Sequence, residues 1–354
     1  MVFWTAFLFL SCNLKILAQD IPDYSYDELQ SLQPKSLINI DPEKIESIRG
    51  GSSIGGFFIF NDQERMMGSS TSSVFFNDKL LVSDPGNNMI LEINEDNKPE
   101  WKTGRKGSGP GEFLQIDQLV ESDRYLAATD NGNLKIHIFN DELTPIAELL
   151  LHGHGDVTIN DQFIMTPSRF SENYLFNVYD SNPPFTEIGL FLGSVIPGGL
   201  QPRGYNFVKS NSNSRGDVIV TAPALPYIFV FDRDLSHFHT IELSGTIIQE
   251  IVDDNPEPEH VRSQEDSLVR NIINTVQITD DREIFFGIGR TLYILRNQHG
   301  GYQLHRQLQF YPGDSNQKGD NPLGIFHINT DENSGKVCLS SIHYEFLHCF
   351  EGVF

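Results

Sequence analysis

An internal repeat is the feature of this sequence that most constrains its fold, because self-similarity requires one structural unit to recur along the chain. Leu80–Ile93 aligns with Tyr125–Ile138: in each segment an apolar run ends on aspartate, a Gly/Asn pair follows, and apolar and polar residues then alternate. Apolar runs on either side of residues that tolerate positive φ are typical of a β-hairpin. Each copy is therefore predicted to be a strand, a tight turn and a second strand.

Weaker copies of this signature follow at spacings of about 45 to 50 residues, the length of a four-stranded blade. They are Asp161–Met165 with Asn173–Asp180, Asp217–Val220 with Tyr227–Asp232, and Glu283–Gly287 with Thr291–Leu295, and the tail segments 335–340 and 346–350 supply strands for one more unit. Helical periodicity is nearly absent. We therefore predict an all-β fold, a six-bladed β-propeller with four-stranded antiparallel blades.

The ring of such a fold has to close, since an unpaired strand edge can pair with other chains. An N-terminal strand, from either Leu37–Ile40 or Gly56–Phe60, is predicted to join the C-terminal blade. The propeller is assigned to residues 36–354, after an N-terminal segment at 20–35. A charged, proline-rich stretch at about 249–271 is interpreted as an insertion before the fifth blade, and Ser267–Arg270 within it is a candidate short helix.

The N-terminus is expected to direct export. Residues 1–10 form an apolar run that is too short to span a bilayer, and small residues follow it as far as Ala18. We assign residues 1–19 to a signal peptide and predict a secreted or periplasmic protein, although no basic residue precedes Lys15. The alternative is a lipoprotein signal that places a lipid on Cys12 and anchors the protein at the cell envelope. No other stretch is predicted to span a membrane.

The charge of the chain argues against nucleic acid as a partner. Lys and Arg total 25 against 48 Asp and Glu, a formal net charge of −23. Such a chain repels phosphate backbones and anionic lipid surfaces.

The cysteines are too few for a disulfide-built scaffold, since the chain contains three. No spacing typical of a zinc site occurs among them. Cys338 and Cys349 lie on either side of a predicted hairpin turn, and either a cross-strand disulfide or two buried thiols fits this placement.

A glycine-rich segment, Lys102–Phe113, lacks the chemistry of a nucleotide site. A P-loop requires Gly-Lys-Ser/Thr at its end and a dinucleotide fingerprint requires a following helix, whereas Leu114–Asp117 begins a strand here. The glycines are instead predicted to let the chain cross from the outer strand of one blade to the inner strand of the next. Phe113 is predicted to pack into the core between the two blades.

Gly107–Phe113, together with the Ser-Asp-x-x-Asn hairpin that begins at Ser83, resembles the NHL-repeat family, and in particular the TolB-like six-bladed propellers of bacterial extracytoplasmic proteins. The resemblance is strong over roughly residues 36–140. Toward the C-terminus it rests on pattern alone, because the later blades lack the Gly-Pro-Gly-Glu-Phe crossing. It implies the fold and the compartment, and no particular activity.

The best candidate for chemistry is the pair His152 and His154 with Asp156, in the crossing between the second and third blades. Two imidazoles and a carboxylate separated by glycines can converge on a divalent metal. Some NHL-type and gluconolactonase-like propellers hold a metal where such loops meet the central channel. A metal bound there could lower the pKa of a water molecule for hydrolysis or lyase chemistry. The alternative without a metal, a polar loop that crosses between the blades, is favoured.

Other candidates have simpler interpretations. His327 and Asp117 are predicted near the central channel, as ligands or as polar lining. Asp84 and Asp130 recur with the repeat and are predicted to cap turn amides. Trp101 is predicted to bind a ligand or, preferably, to pack against the neighbouring blade.

Two functions remain. The leading hypothesis is a non-catalytic, monomeric binding or scaffold propeller that needs no cofactor and recognises a protein, peptide or glycan at the bacterial cell envelope. It is favoured because no Gly-x-Ser-x-Gly elbow and no His-Glu-x-x-His helix is present. The alternative is a metal-dependent hydrolase, lactonase or lyase with its site in the central channel.

Overall fold

The structure, a computed structural model, describes residues 21–40, 45–55, 57–68, 71–153, 155–168, 173–195, 205–256, 269–312, 322–331, 334–340 and 347–353. The predicted signal peptide, including Cys12, lies outside the described residues. Regular structure in the described residues is almost entirely β, as predicted. Two short helices accompany the strands.

The elements follow the chain as short, mostly antiparallel runs. Ahead of the first long run are α1 (Tyr26–Ser31), β1 (Lys35–Asn39), β2 (Glu46–Ile54), β3 (Phe57–Phe60) and β4 (Gln63–Met66). The first three runs are β5 (Ser73–Phe76), β6 (Lys79–Asp84), β7 (Met89–Ile93), β8 (Pro99–Thr103), β9 (Ile116–Glu121), β10 (Leu126–Asp130), β11 (Lys135–Phe139), β12 (Pro145–Leu150), β13 (Thr158–Ile159), β14 (Phe163–Pro167), β15 (Tyr174–Asp180) and β16 (Glu187–Gly193). The remaining elements are β17 (Lys209–Ser212), β18 (Val218–Thr221), β19 (Tyr227–Phe231), β20 (His237–Ser244), α2 (Thr246–Asp254), β21 (Thr275–Ile278), β22 (Ile284–Ile288), β23 (Thr291–Gln298), β24 (Gly301–Pro312), β25 (His327–Asp331), β26 (Lys336–Ser340) and β27 (Leu347–Phe350).

Four-stranded antiparallel units form a ring, which is a propeller-like architecture. β5–β8, β9–β12 and β13–β16 are separate four-stranded sheets, and β17–β20 carry β1 as a parallel fifth strand on their outer edge. The inner strands β5, β9, β13, β17, β21 and β25 contact one another in that order, and β25 returns to β5. The sheets therefore surround a central axis, with apolar cores between successive sheets.

The prediction of six separate four-stranded sheets is wrong in one respect. Beyond the hairpin β3–β4, the described strands form three sheets of four strands, one of five and one of eight, ordered β21-β22-β23-β24-β2-β27-β26-β25. The cause is β2, which is long enough to pair on both sides. Its first half runs parallel to β24, and its second half, Ser52–Ile54, runs antiparallel to β27.

Closure by an N-terminal strand therefore occurs, but neither predicted segment supplies it. Leu37 and Ile38 belong to β1, which pairs with β20, whereas β3 forms the hairpin with β4. The change of partner within β2 falls at a Gly-Gly pair, where Gly50 has φ +84°. A Cβ at Gly51 would overlap the Phe350 ring, so only glycine fits where β2 meets the last strand.

The glycine-rich crossing has the structural role that the sequence predicts. It connects β8 to β9, with Gly104 at φ +90°. Phe113 is fully buried in the core between the first two sheets. Glu112 fixes the loop, since its carboxylate accepts a hydrogen bond from the Gly109 amide at 2.9 Å and pairs with Arg105 at 2.6 Å.

The insertion after β20 begins with a helix that the sequence analysis placed elsewhere. The described helix is α2, which follows Gly245 at φ +124°. Ile248 and Ile251, three positions apart, turn the same face of α2 into the core and are buried. Residues 257–268 lie outside the described part, and Val269 and Arg270 are not helical, so the prediction of a helix at Ser267–Arg270 is not confirmed there.

A disulfide joins Cys338 to Cys349. The two residues are directly opposite each other on β26 and β27, with their Cα atoms 4.1 Å apart. Of the two alternatives that the sequence left open, the structure has the disulfide. It lies in the core between the last and first sheets, beside Val82 and Leu347.

Candidate binding site

The predicted metal ligands lie in the connection between β12 and β13. His154 is outside the described residues, so convergence of His152, His154 and Asp156 remains a prediction. The Asp156 amide donates to the Val208 carbonyl at 3.0 Å, which holds this connection against the start of β17. In the described part of the chain, no group of three His, Cys, Asp or Glu side chains could hold a metal.

Asp156 already has a cationic partner. Its Oδ1 is 2.9 Å from Lys209 Nζ, and both side chains are mostly buried. Burial raises the pKa of Asp156, and the Lys209 ammonium opposes that rise without cancelling it. A metal could therefore bind Asp156 only by displacing the Lys209 ammonium.

His327 and Asp117 also bond to protein groups. His327 Nε2 lies 3.3 Å from both Ser72 Oγ and the Ser73 carbonyl. Burial, aided by the charge of Lys209, lowers the pKa of His327 to about 4, so its ring is neutral at pH 7. The Asp117 carboxylate accepts a hydrogen bond from Asn131 Nδ2 at 3.0 Å. These contacts favour the polar-lining interpretation of both residues.

The repeated aspartates cap turns, as predicted, and also fasten the preceding loop. Asp84 accepts hydrogen bonds from the Asn87 amide in its own turn and from the Gly68 amide, each at 3.0 Å. Asp130 does the same, accepting from Asn133 in its turn and from Gln115 in the crossing. Their recurrence is therefore structural.

Trp101 is partly exposed and packs in a place that the sequence did not indicate. Its ring centroid is 5.5 Å from that of Phe60 in the hairpin β3–β4, and Nε1 donates to the Gly104 carbonyl at 3.0 Å. The prediction that it packs against a neighbouring blade is wrong, because the added hairpin covers this strand instead.

A large acidic cavity, of about 840 Å³, opens at one end of the ring. It lies at the hairpins that connect each inner strand to its second strand, and every inner strand or its hairpin contributes lining residues. The charged residues that the described chain contributes to its wall are eight acidic residues and one lysine: Asp78, Glu95, Glu121, Asp123, Asp161, Asp280, Asp331, Glu351 and Lys336. We call this space the acidic cavity.

The acidic cavity is not among the features predicted from the sequence, although the sequence contains a signal for it. Asp78, Asp123, Asp161 and Asp280 each follow an inner strand by two residues, and Asp331 ends one. In a propeller these positions fall at the same end of the ring. The signal lies in the inner strands, whereas the repeat visible in the sequence covers the second and third strands of each unit.

The carboxylates of the acidic cavity repel one another. Burial raises the pKa of Asp123, and the charges of Asp161 and Asp280 raise it further. A cationic group that enters the cavity relieves this repulsion. The wall is therefore complementary in charge to a positively charged ligand.

The acidic cavity narrows at its base to a small space of about 30 Å³ in the channel. Glu121, Ser212 and Gln277 line both spaces, and we call these three residues the neck. Burial raises the pKa of Glu121 to about 8. The Oε1 of Gln277 is buried and accepts no hydrogen bond from the described residues.

The class of protein that this fold and site define is a β-propeller-like protein with an acidic cavity on its axis. No protein-family model and no curated protein matches the sequence. The fold is similar to that of a candidate exported protein from Bacteroides fragilis, with a TM-score of 0.53 and 14% identity, covering 89% of this chain and 99% of that one. It is also similar to a protein of unknown function from Bacteroides thetaiotaomicron, with a TM-score of 0.52 and 12% identity, covering 87% of this chain and 74% of that one. At these identities the likeness concerns the fold alone.

None of the helices in the described residues is long and apolar enough to cross a membrane.

Proposed function

We propose that this protein is an extracytoplasmic, non-catalytic binding propeller whose acidic cavity receives a positively charged segment of a partner protein or peptide. The observation that carries the proposal is the wall of the cavity, to which the described residues contribute eight acidic side chains against one lysine around about 840 Å³. A space of this size lies in the range of specific ligand pockets. Among protein, peptide and glycan partners, the charge favours a basic protein or peptide segment.

We further propose that the ring has six blades. The eight-stranded sheet then counts as two of them, β21–β24 and β25–β27 with the end of β2 as the fourth strand. The closed order of contacts among the inner strands supports this count, because each of them begins one antiparallel unit. Six blades also agree with the resemblance to the NHL-repeat and TolB-like propellers, the family that we propose.

An extracytoplasmic location is part of the proposal. It is supported by the signal-like N-terminus, by the disulfide between Cys338 and Cys349, and by the similar fold of a candidate exported protein. A chain that is released after signal cleavage would be secreted or periplasmic. A chain with a lipid on Cys12 would instead be anchored at the cell envelope. Metabolic labelling with a fatty acid, lost in Cys12→Ala, would identify the anchor.

The binding proposal is tested with peptides of equal length and opposite charge. Isothermal titration of the mature chain with a Lys/Gly decapeptide and with a Glu/Gly decapeptide should show binding of the basic peptide alone. The paired change Asp123→Asn with Asp280→Asn should weaken that binding by about tenfold at low salt, since each charge contributes modestly at an exposed wall. Asp27→Asn, an exposed change on α1 that does not line the acidic cavity, is the matched control. Equal binding of both peptides, or an unaltered affinity in the paired variant, would contradict the proposal.

The metal-dependent hydrolase, lactonase or lyase gains no support from the described residues, because Asp156 is paired with Lys209. Its site, with His152 and His154, stays a prediction. Metal content of protein purified without chelator, compared between wild type and the double His152→Ala, His154→Ala variant, tests it. A stoichiometric metal that is lost in the variant would revive this function.

A further inference from the structure

The neck at the base of the acidic cavity offers hydrogen-bond acceptors that no described group uses. Gln277 Oε1 is buried and unpartnered within the described residues. Thr330 lies on the adjacent inner strand, lines the acidic cavity and is only 8% exposed. Its Oγ1 likewise has no hydrogen-bond partner among the described residues. A buried polar atom without a partner costs about 1–3 kcal/mol. These atoms therefore point to a ligand that donates hydrogen bonds.

The carboxyl group of Glu121 completes the set of acceptors. Its hydrogen-bond partner is its own backbone amide, and no basic side chain of the described residues is paired with it. Inner strand β9, which carries Glu121, is separated from β21, which carries Gln277, by two inner strands in either direction around the ring. The carboxyl group and the amide oxygen therefore approach the axis from opposite sides.

We propose that a single primary ammonium group binds where the acidic cavity meets the neck, with Glu121 and Gln277 of the neck and Thr330 of the cavity wall accepting its three N–H donors. The inference rests on the proposed function and deepens it, because it makes a lysine side chain the part of the basic segment that enters the channel. A lysine ammonium is compact and has three donors, which equals the number of acceptors, whereas the guanidinium of arginine presents five donors in a planar fork. One carboxylate and two neutral oxygens are too few for calcium, which takes six to eight oxygen ligands.

The charges that face this position come from every side of the acidic cavity. On the cavity side, besides Glu121, the described residues are Asp78, Glu95, Asp123, Asp161, Asp280, Asp331, Glu351 and Lys336, and Arg124 pairs with Asp161 at 3.5 Å. On the channel side they are Asp156, which is paired with Lys209, and the neutral His327. Their sum is negative, so they attract an ammonium ion. Burial, which raises the pKa of Glu121, keeps its carboxyl group protonated when the neck is empty. Binding of the cation must then release that proton.

The proton release gives a distinctive test with n-butylammonium as the probe. Because burial raises the pKa of Glu121 to about 8, the fraction of ionised Glu121 grows about 30-fold between about pH 6.5 and about pH 9. The amine stays protonated over this range, since alkylamines ionise near pH 10. Isothermal titration of the full mature chain should therefore show an affinity that rises by about that factor.

Variants and probes separate the neck from the acidic wall. Glu121→Gln should abolish the rise in affinity with pH, whereas the matched change Glu95→Gln, at the exposed rim, should lower affinity about two- to threefold and keep the rise. Thr330→Val should weaken binding several-fold and also keep the rise. Butyltrimethylammonium, with the same charge and no N–H donors, should bind at least about tenfold more weakly than butylammonium at about pH 9.

The outcomes distinguish this inference from the proposed function. If the basic decapeptide binds through the wall but butylammonium binding is absent, independent of pH, or unchanged in Glu121→Gln, the neck is not an ammonium site and the binding function stands. If butylammonium binds with the expected pH dependence but a lysine-containing peptide does not compete with it, a free amine is the ligand rather than a lysine side chain. If neither probe binds, both proposals fail.

Discussion

The substitution Asp130→Asn tests whether the repeated aspartates hold the propeller together. Both oxygens of this fully buried carboxylate accept hydrogen bonds. Oδ1 accepts from the amides of Gln115 at 2.9 Å, Gly132 at 3.1 Å and Asn133 at 3.2 Å. Oδ2 accepts from the Leu114 amide at 3.1 Å and from Asn133 Nδ2 at 2.6 Å. An asparagine keeps the shape but presents an NH₂ group to two donors.

The magnitude follows from those contacts. Hydrogen bonds to a charged group contribute about 1.5–3 kcal/mol each, and the substitution removes two of them and weakens the rest. We therefore expect Asp130→Asn to lower the free energy of unfolding by about 4 kcal/mol. The exposed change Asp141→Asn, one turn further along the chain, should alter it by less than about 0.5 kcal/mol.

Urea denaturation at pH 7, followed by tryptophan fluorescence and far-UV circular dichroism, provides the measurement. Burial raises the pKa of Asp130, but the nearby His137 ring, 3.8 Å away, and the hydrogen bonds from the Gln115 and Leu114 amides outweigh burial and lower the pKa overall. The folded pKa is then below the unfolded one, so the stabilisation is present above about pH 4 and is lost as the pH falls. The difference between wild type and variant should narrow in acid. A loss below about 1 kcal/mol at pH 7 would refute the reasoning.

Three further predictions concern packing, the disulfide and the channel. Phe113→Ala should lower the free energy of unfolding, measured by heat or urea, by about 3–5 kcal/mol, because the ring is fully buried between two sheets. A loss no larger than that of a surface substitution would contradict its core position. Changing both Cys338 and Cys349 to serine should cost about 2–3 kcal/mol under non-reducing conditions, since the bridge spans 11 residues, and reductant should then have no further effect on stability. Lys209→Met should lower stability by about 2 kcal/mol at pH 8 and by less at pH 5, because protonation of Asp156 removes the unpaired charge; an equal loss at both pH values would argue against the ion pair.

The sequence alone determined the local units of the fold. The alternation of apolar residues around Gly/Asn turns predicts hairpins, and their spacing predicts four-stranded antiparallel repeats in a ring. These features depend on nearest neighbours along the chain, which sequence patterns record directly. The roles of Asp84, Asp130 and Phe113 were predictable for the same reason, because each acts within one repeat or one crossing.

Contacts between distant segments were decided by the tertiary structure. The strand that closes the ring is Ser52–Ile54, and pattern pointed away from it, because it is polar and mostly exposed whereas the two neighbouring segments are apolar. The helix α2 was missed because its apolar face is short and becomes recognisable only against the core that it covers.

The candidate site shows the same division. Sequence reasoning chose His152, His154 and Asp156 because they are close along the chain, yet Asp156 is paired with Lys209, which is 53 residues away. The residues of the acidic cavity, by contrast, come from eight separate stretches of sequence and meet only because inner strands surround one axis. Composition established that the chain is acidic. The ring decided where that charge concentrates, since a closed propeller brings equivalent ends of every inner strand to one opening.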